Sequence, residues 1–123
     1  CYPASCTKSD LLNQITAQLP EKATLEVISH WSPVLYDKSS KYVQALQQVY
    51  TDVTKSDSIP VTTTGGTYAK IIPNIIAYGP SFPGQRDIAH LPNEWIGVKD
   101  IETDTIIYGL ALLALSNMKE GMK

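Results

Sequence analysis

His90 stands in the run Asp87-Ile88-Ala89-His90-Leu91-Pro92-Asn93-Glu94, between two carboxylates and beside an amide. Imidazole is the commonest side-chain metal ligand, and its charge changes nearest neutral pH. A neighbouring carboxylate, Asp87 or Glu94, can hydrogen-bond the ring and fix which nitrogen faces a ligand. A catalytic metal needs three protein ligands or more. One histidine beside carboxylates is also common on an ordinary surface loop, and Asp87 is as readily a solvated charge. Pro92 disfavours the α conformation at Leu91. His90 therefore belongs to a loop, where ligands and catalytic groups concentrate.

The turn Gly65-Gly66-Thr67 is the second candidate. It follows a β-branched run and opens a short helical one. Backbone N–H groups at such a start favour an anion such as a carboxylate. The plainer alternative is a tight turn needing positive φ, with Thr67 as a helix cap. His30, beside Trp31, is more simply a structural or exposed histidine than a ligand. Cys1 and Cys6 have no histidine near them in sequence, so nothing supports a nucleophilic thiol. The chain holds no His-x-Asp pair, Glu-Glu pair, Gly-x-Ser-x-Gly elbow or phosphate loop. No catalytic set is complete.

These residues must be positioned by the elements around them. Thr7-Lys8-Ser9-Asp10 has the spacing of a capping box. Leu11, Leu12, Ile15 and Leu19 recur at helical spacing until Pro20, which predicts a helix over 9–19. The β-favouring residues of 24–31 predict a strand. Ser39 or Ser40 can cap a second helix with an apolar stripe at Val43, Leu46, Val49, Tyr50 and Val53. Further strands are expected at 59–63, 74–78 and 94–98, with a short helix at 67–72 between the first two. Gly79-Pro80, Pro83-Gly84 and Pro92 mark a long loop. Asp100 caps the last helix, whose residues Ile101, Ile106, Ile107, Leu110, Leu113 and Ala114 predict a broad buried face. Alternating helices and strands point to an α/β layered fold, divided near Pro33.

Length and charge bound the function. At 123 residues the chain suits one ordinary domain. A net charge of −2 without a basic run argues against nucleic acid or an anionic membrane as partner. The most apolar segment, Thr105 to Leu115, is about half as long as a membrane span requires. Two cysteines close together at one end make a poor disulfide framework, which favours a reducing cytoplasm. The opening Cys1-Tyr2-Pro3 reads like the end of a strand and hints at a piece of something longer.

Two segments together resemble the C-terminal end of the M20-family metallopeptidases, in particular the PepV-like dipeptidase branch. One is Gly65-Gly66-Thr67-Tyr68-Ala69-Lys70, similar to that branch's Gly-rich Thr-Tyr-Ala-Arg turn. The other is Ala77-Tyr78-Gly79-Pro80-Ser81-Phe82-Pro83-Gly84 running into Asp87, His90, Asn93 and Glu94. The resemblance implies that residues 1–34 close an inserted lid domain with a β-α-β portion. It implies that residues 35–123 return to an α/β catalytic domain. It further implies two metal ions, usually zinc and in some members manganese, that activate water against a dipeptide's peptide bond. His90 falls on the family's last metal ligand. Gly65, Gly66 and Thr67 fall where backbone meets the substrate's carboxylate end, and Asp87, Asn93 and Glu94 support the ligand.

The remaining ligands and the general base would lie upstream, so the isolated chain is expected to be inactive. The missing N-terminal part is then its partner, and unpaired lid strand edges favour self-association. Three positions depart from the family pattern. Thr64 stands where a further glycine is usual, and Lys70 replaces an arginine and its planar fork. Cys1 precedes Tyr-Pro where related lids carry a carboxylate-binding arginine. Two other readings stay open: a free-standing, non-catalytic α/β binding module, and an M20-like hydrolase of N-acyl amino acids.

Overall fold

A computed structural model describes residues 2–57, 59–63, 65–79, 81–85 and 88–118. Among them lie three α-helices, α1 (Lys8–Thr16), α2 (Lys41–Thr54) and α3 (Val98–Ser116), with a single 3-10 turn at Tyr68–Lys70. No strand or ladder forms among the described residues. The expected α/β fold is therefore corrected: the regular structure is helical.

The missing strands have a physical cause. A β-branched run fits a pleated, half-buried surface only when neighbouring strands supply one. In the segment 24–31 Ile28 is 93% exposed, and in 59–63 Val61 is 81% exposed. Neither has the cross-strand neighbours that would hold it in a sheet.

The helices start where side chains cap them. At α1, Thr7 Oγ1 accepts from Asp10 N at 3.1 Å, and Asp10 Oδ2 accepts from Thr7 N at 3.0 Å. The reciprocal box satisfies two backbone donors at the helix start. Those hydrogen bonds hold the Asp10 carboxyl below the ordinary range, the Thr7 side chain contributing most. The helix ends at Thr16, short of the expected Leu19. At α2, Ser40 Oγ accepts from Val43 N at 3.3 Å. Lys55 closes α2 in the left-handed conformation, φ 58°. α3 begins earlier than its pattern suggests, with Gly97 at the cap and Asp100 in the first turn. There the carboxylate lies near the positive end of the helix dipole.

The chain forms two compact units. The first comprises residues 1–36 and 62–77, and the second residues 37–61 and 78–123. In the first unit, α1 is accompanied by a Tyr2–His30 pair. The phenol oxygen lies 2.7 Å from His30 Nε2, and the rings stack at 5.9 Å.

In the second unit α2 and α3 pack together, and the core is Val43, Leu46, Ile107 and Ala111. The predicted stripe of α2 is thus buried at its first two members. The broad face predicted for α3 is not: of its expected members only Ile107 is buried, while Ile101, Ile106, Leu110 and Leu113 are exposed. Residues 78–79 and 81–85 strap this helix pair. Tyr78 Oη donates to the Leu46 carbonyl at 3.0 Å, and Tyr108 Oη donates to the Tyr78 carbonyl at 3.2 Å. Tyr78 and Tyr108 meet edge to face, Tyr50 stacks on Phe82, and Gln85 Nε2 donates to Asp100.

Candidate functional site

His90 sits in a tight loop of the second unit that opens toward solvent. Its backbone is left-handed, φ 64°, and so is that of Asn93, φ 63°. Such a conformation is uncommon outside glycine, and histidine and asparagine are among the residues that tolerate it best. Pro92 and the α-disfavoured Leu91 separate the two. Glu94 closes the turn: its N–H donates to the Leu91 carbonyl at 3.2 Å, and its Oε2 accepts from the His90 N–H at 3.1 Å. The Glu94 carboxylate therefore holds the backbone that carries the imidazole. Asn93 supplies the second left-handed corner. His90 and Glu94 are both exposed. Asp87 lies outside the described residues.

The glycine turn lies in the first unit. Gly65 N–H donates to Thr63 Oγ1 at 3.1 Å, and Thr67 Oγ1 accepts from Ala69 N at 3.2 Å. Thr67 thus caps the 3-10 turn, as its position suggested. No residue of this turn has a positive φ, so the tight-turn alternative does not account for the glycines. Thr64 and Cys1 lie outside the described residues.

Trp31, Gly66, Thr67, Tyr68, Lys70 and Ile71 line an open cavity of about 300 Å³. Trp31, Gly66 and Lys70 also border a second depression with Tyr2, Leu11 and Ser29. The lining of this hollow is mostly apolar, with the half-exposed Trp31 indole and the stem of Lys70 near the glycine turn. A tryptophan 34 positions before the turn carries no signal of its place near it.

The metal expectation meets a limit in the donor set. Among the described residues no three His, Cys, Asp or Glu side chains come together as a metal ion requires. His30 is paired with Tyr2, and Glu94 is turned onto backbone. The residues present do not by themselves fit a metal centre. Among the described residues no helix is long and apolar enough to cross a membrane.

The glycine turn and the histidine loop lie within a stretch that similarity now places. The family model described as peptidase family M20/M25/M40 matches residues 4–114. The match takes in nearly all of the chain, which therefore belongs to that peptidase family. Among relatives, a Staphylococcus saprophyticus protein provisionally named a dipeptidase is 33% identical over 108 residues, covering 87% of this chain and 23% of its own. A Staphylococcus epidermidis protein with the same provisional name is 30% identical over 115 residues, covering 93% of this chain and 24% of its own. YtjP of Bacillus subtilis, likewise provisionally a dipeptidase, is 35% identical over 74 residues, 60% of this chain and 16% of its own. The chain spans about a quarter of the length of the first two relatives. No solved structure matches it.

Proposed function

We propose that this chain is the C-terminal quarter of a dipeptidase and supplies part of a site completed by the rest of that protein. The family match over residues 4–114 carries the reading. In it, residues 1–34 close the lid and residues 35–123 belong to the catalytic part. His90 lends one imidazole to a metal site, zinc or manganese, whose other ligands and general base lie upstream. The metal, when bound, supplies an activated water for attack on the peptide carbonyl. Glu94 and Asn93 hold the loop that presents the imidazole, and Asp87 is the remaining supporting carboxylate.

Gly65, Gly66 and Thr67, with Lys70 beside them, receive the carboxylate end of a dipeptide. The glycines leave room for a ligand to reach the backbone, and the ammonium adds charge. In this reading the isolated 123-residue chain is inactive, because the other ligands and the general base lie upstream. The two cysteines suit a cytoplasmic setting.

The longer protein and the isolated chain should be assayed side by side for release of amino acids from dipeptides and from N-acyl amino acids. Dipeptide turnover by the longer protein alone is expected. Preference for N-acyl substrates would move the reading to an acyl-amino-acid hydrolase, and turnover by neither would favour a binding module.

A further inference from the structure

The loop that carries His90 runs from Gln85 to Gly97, and both of its feet rest on Asp100. At the first foot, Gln85 N–H donates to the Phe82 carbonyl at 3.1 Å, and Gln85 Oε1 accepts from Phe82 N at 3.1 Å. Gln85 Nε2 then donates to Asp100 Oδ2. A backbone donor on one side and a carboxylate on the other fix which way the amide points. At the second foot, Gly97 caps α3, and its carbonyl accepts from Asp100 N at 3.0 Å. The same Asp100 Oδ2 lies 2.6 Å from where a Gly97 Cβ would stand. Gly97 has an ordinary extended backbone, φ −68° and ψ 140°. What the glycine supplies is therefore room for that carboxylate rather than a left-handed turn. Gln85, Gly97 and Asp100 are all partly buried.

We infer that Gln85 and Asp100 are positioning residues for His90: their hydrogen bond fastens the start of its loop to the helix turn that receives the loop's end. The inference rests on the reading that His90 serves a dipeptidase centre. Glu94 holds the loop from within through the His90 N–H, and the Gln85–Asp100 bond holds it at its base. Fastening both ends removes freedom that an open loop would keep. α3 gives the anchor a firm footing, since Asp104, Ile107 and Ala111 are buried further along it. The action of the pair runs through the loop backbone. A displacement of about 1 Å can cost a catalytic group about a hundredfold in rate.

The test exchanges charge within the pair, in the longer protein. Gln85→Glu keeps the acceptor for Phe82 N but sets a second carboxylate against Asp100. Asp100→Asn in the same chain supplies an amide donor and restores the bond with the roles reversed. Dipeptide turnover and amide hydrogen exchange are measured for the parent, the single variant and the double variant at neutral pH. For Gln85→Glu, kcat should fall about tenfold or more with KM nearly unchanged. Exchange over residues 88–96 should quicken by about tenfold. The double variant should return both to within about threefold of the parent. A general loss of stability would quicken exchange in α2 as well and would not respond to the second change. If Gln85→Glu does not fold, Gly97→Ala pushes the same oxygen from the other foot and is read for the same fall in kcat and the same local exchange. Unchanged kcat, unchanged exchange over 88–96, or a loss that the second change does not restore overturns the inference. A parent that turns over no dipeptide, while exchange still follows the pair, sinks the dipeptidase reading and leaves the loop clamp standing.

Discussion

Gly79 shows how tightly single residues fix the second unit. Its φ is +80°, and a Cβ there would run into the Tyr108 hydroxyl and ring. Gly79→Ala should therefore cost about 2 kcal/mol, from left-handed strain and a displaced tyrosine together. Urea denaturation would read the loss; an unchanged midpoint would deny that the strap begun by Tyr78 and Gly79 holds the helices. Tyr78→Phe should cost about 1 kcal/mol by removing the bond to the Leu46 carbonyl. Burial, then the neighbouring Tyr108, Tyr50 and Asp104, push the Tyr78 phenol up to about 12. Its proton, and the bond, should persist through mildly alkaline pH.

Asp104 gives a pH signature at the same scale. Burial raises its carboxyl above the ordinary range, and the charge of Asp100 raises it further. The folded state then holds that proton more tightly than the unfolded state does. Stability from this source is full below the ordinary carboxylate range and is lost as pH rises through the raised value. Asp104→Asn should accordingly gain stability relative to the parent at pH 7 and little at pH 4. A gain equal at both values would mean that the carboxyl does not titrate abnormally.

Among elements, the helices were largely legible in the sequence and the strands were not. Capping is local: Thr7 reaches Asp10, and Ser40 reaches Val43, within one turn. A reader of four residues sees the whole interaction. Ser40→Ala should cost about 1 kcal/mol, seen as reduced helicity and an earlier urea transition. A strand needs a partner that four residues cannot reveal, and the runs at 24–31, 59–63, 74–78 and 94–98 form no ladder within the described residues. The site divides in the same way. Pro92 announced that His90 lies on a loop, whereas the left-handed backbone and the Glu94 clamp emerge only in three dimensions. Trp31 joins the glycine turn only through tertiary folding. α3 follows the same logic: Gly109→Ala should stabilise the isolated chain by about 1 kcal/mol, because nothing there opposes the new methyl group. A destabilised isolated chain would show that the space around Gly109 is not open.

At the scale of the whole molecule, the chain belongs to a peptidase family. One constrained histidine and one glycine-lined hollow lie in separate compact units, and no three metal-binding side chains come together among the described residues. The relatives are about four times as long as this chain, and under the proposed function the remaining parts of the site lie in that additional length. The central claim is that His90 is indispensable to a dipeptidase centre it cannot build alone. The most direct measurement compares the longer protein with its His90→Ala variant for dipeptide turnover and for bound zinc and manganese, with circular dichroism as the control on folding. The account predicts a fall in kcat/KM of a hundredfold or more and fewer metal ions per chain, with an unchanged helical spectrum. A His90→Ala protein that keeps both its turnover and its metal content would contradict it.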